Sequence, residues 1–383
     1  MSITVPQGFR AAGVAAGLKV SGGLDVALVV NDGPGSAVAA VYTANRCKAN
    51  PVLWSERVTA DGVARAVVLN SGGANCYTGP AGFATTHASA EQVAELTGVD
   101  AGDVVVCSTG LIGLQLDAPK LAGGIEAAAA ALSTDGGGDA ARAIMTTDTV
   151  VKEAVAGGDG WAVGGMAKGA GMLAPALATM LVVLTTDADV DAVALDVALR
   201  AATRVTFDRL DSDGCQSTND TVVLMASGAS GVRPDLDDFA SAVRSVCHDL
   251  AQQLMRDAEG ADHDIAIEVV NAADDDDAVE VGRAIARSNL FKAAIFGRDA
   301  NWGRILAAVG TTSAAFEPAD LDAAVNGIWV CRGGGPGESR DLVDLSGRDV
   351  QVTVDLKSGN ASATVWTNDL THAYVHENSA YSS

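Results

Sequence analysis

The sequence predicts a layered α/β protein followed by a smaller α+β unit, and three observations lead there. Short β-rich apolar runs alternate with alanine-rich stretches of helical spacing. Glycine is abundant (43 residues) while aromatic residues make up 4%, a balance typical of α/β proteins whose tight turns present backbone groups to ligands. Near residue 264 the order of elements changes. With 383 residues, 48% of them hydrophobic, the chain is long enough for more than one core.

In chain order, residues 66–69, 104–107, 180–184 and 221–225 read as buried strands, each a short run dominated by Val, Leu and Met. Between them, residues 81–96, 121–132, 190–203 and 236–259 carry helical spacing. Beyond the change in order come a strand (265–270), a helix (278–287), strands at 325–330, 350–356 and 361–366, and a terminal helix near His372. The expected units are therefore 1–263 and 264–383. The acidic run Asp274 to Asp277 falls just inside the second. A solvated loop or helix start suits it better than a metal site, because four consecutive carboxylates cannot all face one ion.

Composition excludes several partners. The 48 acidic residues outnumber 25 basic ones, a formal charge of -23, which would repel nucleic acid and anionic membranes. Small molecules and other copies of the chain are the expected partners. Six scattered cysteines form no CxxC pair and suit reduced thiols, hence a cytoplasmic address. No secretory pattern opens the sequence. The longest nearly apolar run, Gly171 to Leu184, is broken by Pro175 and too short to span a bilayer. The five histidines show no ligand spacing for zinc, so no metal is expected.

The most informative segment is Lys168 to Asp187, KGAGMLAPALATMLVVLTTD, a glycine-rich basic loop leading through Pro175 into a strand with Thr179 at its first position. From the pattern alone Thr179 simply opens a core strand. A chain that cuts itself before a threonine, however, leaves a free α-amine beside that hydroxyl, a nucleophile with its own general base. With an unperturbed pKa of about 7.7 to 8.0, that amine is on the order of one-tenth neutral at pH 7. Gly169 to Ala174 also fits the GxGxxA dinucleotide pattern, but Pro175 spoils the helix that this fingerprint needs.

Segment 168–187 resembles the signature of the ornithine acetyltransferase family, also called glutamate N-acetyltransferase, whose members cleave themselves at an Ala-Thr bond within Lys-Gly-x-Gly-Met-x-Ala-Pro-x-x-Ala-Thr-Met. Here that bond is Ala178 to Thr179. Further family-like segments follow the family's order nearly end to end: 70–75 with Thr78 and Gly79, 107–113, 145–148, 217–221, 257–260, 301–304 and 378–383. Gly73, Cys76, Tyr77 and Gln216 depart from the usual pattern.

The resemblance implies an αββα core of N-terminal-nucleophile type, cut at 178/179 into α and β chains that assemble as a homo-oligomer, a dimer of the cut chain or larger. It implies an acetyltransferase of arginine synthesis with Thr179 as nucleophile, taking acetyl from N-acetylornithine to glutamate without a cofactor; acetyl-CoA stays open as a second donor. By the same resemblance Thr109 and Gly110 form the oxyanion hole, Lys168 meets a substrate carboxylate and Glu259 the ornithine ammonium. Thr146, Asn378 and Ser383 contact substrate on that basis. The residues alone leave room for a self-cleaving aminopeptidase or amidase, which would use water as acceptor.

Overall fold

The computed structural model describes residues 3–20, 22–173 and 180–380. Up to residue 256 the elements are β1 (Phe9–Val14), β2 (Val26–Asn31), β3 (Ala37–Tyr42), α1 (Asn50–Val58), β4 (Ala66–Asn70), α2 (Gly79–Thr97), β5 (Val104–Ser108), α3 (Ala118–Ala130), α4 (Gly137–Ala143), β6 (Lys152–Gly158), β7 (Trp161–Lys168), β8 (Leu181–Thr186), α5 (Ala192–Val205), β9 (Thr221–Ala226) and α6 (Leu236–Arg256). They form a four-stranded sheet in the order β1-β2-β4-β5 and a five-stranded sheet in the order β3-β9-β8-β7-β6. The neighbours β4 and β5 run parallel, as do β8 and β9. The remaining pairs in both sheets are antiparallel.

Side-chain alternation shows how these sheets stack, since successive residues of a strand face opposite sides. Val67, Leu69, Val105 and Cys107 of the first sheet share one core with Leu181, Val183, Val223 and Met225 of the second. Their neighbours Ala66, Val68, Val104 and Val106 instead pack on Val93 of α2 and on Leu121 and Ile125 of α3. On the far side Val182, Leu184, Val222 and Leu224 pack on Leu195 and Leu199 of α5 and Val243 and Leu250 of α6. Both faces of each sheet are thus covered, and the layers run helices, sheet, sheet, helices, the expected αββα arrangement. A strand buried on both faces must be apolar throughout, which is why β4, β5, β8 and β9 read as continuous runs.

The rest of the chain forms β10 (Asp264–Ala272), α7 (Asp275–Ala286), α8 (Asn289–Phe296), α9 (Trp302–Val309), β11 (Asp322–Val325), β12 (Ile328–Arg332), β13 (Gly335–Pro336), β14 (Asp349–Asp355), β15 (Ala361–Asn368) and α10 (His372–Ala380). Its six strands make a sheet in the order β13-β12-β11-β14-β10-β15, with a separate core that includes Ile267, Val269, Val281, Ile285, Val352 and Val354. Asp274 caps α7, its carboxylate accepting from Asp277 N at 2.9 Å. The acidic run is a helix start, where negative charge meets the positive end of the helix dipole.

Several element boundaries differ from the sequence reading by one to three residues, and three of the differences bear on the fold or the site. The strand expected at 325–330 is a hairpin: Val325 pairs with Ile328 across Asn326 and Gly327, whose φ angles of 47° and 80° are those an Asn-Gly turn adopts readily. The helix expected to reach Glu259 ends at Arg256, which leaves Asp257 and Glu259 in the turn beyond it. The strand expected from Met180 begins at Leu181, and the position of Thr179 at its head lies outside the described residues. No helix among the described residues is long and apolar enough to cross a membrane.

Candidate active site

Adjacent parallel strands deliver their following loops to the same end of a sheet, so the turns after β4 and β5 meet. Thr109, buried just past β5, donates its N–H to Asn70 O at 2.9 Å and accepts from Gly73 N at 3.0 Å. At Gly110 φ is 128°, and a Cβ there would lie 2.8 Å from Gly73 N, so both the backbone angle and the space demand glycine. Two buried asparagines stitch the turns together. Asn70 Nδ2 donates to Gly73 O at 3.1 Å and its Oδ1 accepts from Ser108 Oγ at 2.5 Å. Asn219, from the turn before β9, donates to Ala74 O at 2.6 Å and to Ser108 O at 2.8 Å. Losing Asn219 would leave two buried carbonyls unpaired, at about 1–3 kcal/mol for each group stranded.

Lys168, the last residue of β7, is 1% exposed, and its Nζ lies 3.4 Å from Thr109 Oγ1. Burial pushes this ammonium's pKa down; Asp148 opposes the shift, Lys152 adds to it, and Asp220 and Glu259 oppose it. Asp148 is the hub of the cluster. One carboxylate oxygen accepts from Lys152 Nζ at 2.7 Å and from Gly169 N at 2.6 Å, and the other accepts from Thr146 N at 2.9 Å. Burial alone would raise the Asp148 pKa, but Lys168 and Lys152, with the Gly169 N–H, outweigh it and hold it at about 2. Fully buried Lys152 also reaches Asp257 Oδ2 at 2.5 Å. Asp257 in turn accepts from Thr149 N at 2.9 Å.

Beyond Asp257 the chain turns so that Glu259 N donates to Ala170 O at 2.9 Å. The Glu259 carboxylate lies against Gly171, where a Cβ would come within 2.5 Å of Oε2. Asn378, on α10, donates from Nδ2 to the same oxygen at 3.1 Å. A cavity of about 300 Å³ adjoins Glu259, bounded also by Asp213, Arg287, Asn289, Lys292 and Tyr374.

Of the residues assigned from sequence, Thr109, Gly110, Thr146, Lys168, Glu259 and Asn378 thus fall into one connected region. Ala178, Thr179 and Ser383 lie outside the described residues. Both flanks of 174–179 are anchored in the stretch that leads into β9. Leu173 O accepts from Ser212 N at 2.6 Å, and Met172 N donates to Asp213 Oδ2 at 2.7 Å. Met180 N donates to Asp220 Oδ1 at 3.0 Å, and Met180 O accepts from Thr221 N at 3.2 Å.

Sequence reasoning gave no role to Asp148, Lys152, Asp257, Asn219 or Asp220. The signal was partly there, since all but Lys152 stand in the motif-like segments 145–148, 217–221 and 257–260. Among the described residues no group of three or more His, Cys, Asp or Glu is arranged to hold a metal ion.

Comparison with known proteins agrees on one family. The profile of the ArgJ family matches residues 10–383. The arginine biosynthesis bifunctional protein ArgJ of Streptomyces coelicolor is 65% identical over 383 residues, covering all of both chains. Its namesake from Thermobifida fusca is 63% identical, again over the whole of both. Among solved structures, ornithine acetyltransferase of Mycobacterium tuberculosis complexed with ornithine is 53% identical, covering 47% of this chain and 96% of the other, with a TM-score of 0.45.

Proposed function

The chain belongs to the ArgJ family and is an acetyltransferase of arginine biosynthesis, and we propose that it carries the acetyl group of N-acetylornithine to glutamate on Thr179. Self-cleavage between Ala178 and Thr179 exposes the Thr179 α-amine. That amine takes the proton from Thr179 Oγ as the oxygen attacks the acetyl carbonyl, and ornithine leaves with a proton on its nitrogen. The glutamate amine then attacks the acetyl ester, and Thr179 Oγ regains its proton. In both tetrahedral intermediates the negative oxygen is met by Thr109 and Gly110, a contribution of about 3 kcal/mol for a single donor. Lys168 receives the α-carboxylate that both amino acids share, and Glu259 receives the ornithine side-chain ammonium, with Thr146, Asn378 and Ser383 completing the contacts.

The observation that carries this reading is the buried Lys168 ammonium held 3.4 Å from Thr109 Oγ1. It places a fixed cation beside the proposed oxyanion donors, on the strand that leads into segment 174–179. The test is Thr179→Ala: the chain should stay whole and be inactive. A cut or active Thr179→Ala protein would refute the assignment. Omitting glutamate tests for the hydrolase alternative, because acetate released without glutamate would mark water as the acceptor.

Acetyl-CoA is the second donor in this reading, supported by the word bifunctional in the relatives' names; glutamate acetylation from acetyl-CoA by the purified protein tests it. Residues 1–263 form the unit bearing the nucleophile and 264–383 a smaller unit docked to it. The cut chains assemble as α2β2 or larger in the cytoplasm, which light scattering of the purified protein checks for size.

A further inference from the structure

Asp220 immediately precedes β9 and is fully buried. Its Oδ1 accepts from Met180 N at 3.0 Å, and the Ser217 and Thr43 side chains also hydrogen-bond the carboxyl. The Met180 backbone is held from both sides, because its carbonyl accepts from Thr221 N at 3.2 Å. Met180 is the residue after the proposed nucleophile, so the N–H that Asp220 grips belongs to the peptide joining residues 179 and 180.

We propose that Asp220 is a positioning residue for acyl transfer, which fixes the 179–180 peptide and with it the reach of the residue 179 hydroxyl. This inference rests on Thr179 being the nucleophile. A fully buried carboxyl carries a desolvation cost that an apolar side chain would not. Retaining the acid there suits a site where geometry is held at the expense of stability. Burial drives the Asp220 pKa well above the usual carboxylate range, outweighing the Met180 N–H, Ser217, Lys168 and Thr43, all of which act to lower it. Whatever its charge, Oδ1 serves the Met180 N–H as an acceptor. An amide can reproduce that role and a hydrocarbon cannot.

The experiment compares Asp220→Leu, Asp220→Asn and Thr179→Ala in the full chain, following cleavage by denaturing electrophoresis and stability by thermal melting. Asp220→Leu, which strands the buried Met180 N–H, should stay folded with a lowered melting temperature and cleave at least a hundredfold more slowly. Its slowly accumulating cut fraction should show lowered kcat at unchanged KM for N-acetylornithine. Asp220→Asn should recover both rates to within tenfold of wild type. Wild-type cleavage and kcat in Asp220→Leu would overturn the inference, as would Asp220→Asn being as slow as Asp220→Leu. If Asp220→Leu behaves as wild type while Thr179→Ala is inert, the positioning role alone fails. A Thr179→Ala protein that still turns over removes the nucleophile itself.

Discussion

Replacing Asp148 by Asn removes the single negative charge set between Lys152 and Lys168, and the cost can be worked from its ionisation. The carboxyl falls from 3.8 to about 2 in the folded protein, which at about 1.36 kcal/mol per pK unit is about 2 kcal/mol favouring the folded state. Because the folded value lies below the unfolded one, that contribution is complete above about pH 4 and is lost as pH falls towards 2. Asparagine forfeits it and adds a mismatch, since its NH2 would point at one of the donors Lys152 Nζ, Gly169 N and Thr146 N. Leaving buried lysines short of a counter-charge brings the expected loss to about 3–5 kcal/mol, roughly 5–10 °C in melting temperature. Lys168 supplies a second readout. Its ammonium is destabilised by burial and supported by Asp148, so without Asp148 it deprotonates at lower pH, and the alkaline limb of kcat/KM should move to lower pH. Thermal melting and a pH-rate profile on Asp148→Asn measure both. A variant that melts as wild type and keeps its alkaline limb would refute the claim that Asp148 sustains the Lys168 charge.

Thr109→Ala should lower kcat roughly a hundredfold with little change in KM, the mark of a donor acting mainly in the transition state; steady-state kinetics in which KM alone rises would make Thr109 a binding residue. Gly110→Ala places a methyl 2.8 Å from Gly73 N at a φ of 128°, so denaturant titration should show a loss of about 1–3 kcal/mol together with a fall in kcat. Six histidines added after Ser383, or deletion of residues 378–383, should raise KM for N-acetylornithine at least tenfold, about 1.4 kcal/mol, while cleavage proceeds. An N-terminal tag should be harmless, and equal kinetics for the two tagged proteins would remove Asn378 and Ser383 from the site.

What could be read in the sequence follows from how each part is buried. The strands β4, β5, β8 and β9 are covered on both faces and stand out as uninterrupted apolar runs. The β6 and β7 hairpin could not be read that way: its glycines and the lysines at its outer ends look like loop, yet Lys152 and Lys168 are both buried. The oxyanion candidates were legible as a turn after a strand, and their role came from family resemblance. The network of Asp148, Lys152 and Asp257 was not legible. A charge in a sequence reads as surface by default, and the partners Lys152 and Asp257 stand 105 positions apart. Glu259 read as the last residue of a helix, although the helix stops at Arg256 and frees it to turn against Gly171.

The most direct test of Thr179 as the acetyl carrier is the intact mass of the two fragments after mixing the cut protein with N-acetylornithine, without glutamate, and quenching in acid. The fragment beginning at Thr179 should be heavier by one acetyl group, with the label mapping to Thr179, and adding glutamate before the quench should discharge it. An unmodified fragment, an acetyl group on another residue, or a chain not cut before Thr179 would contradict the assignment.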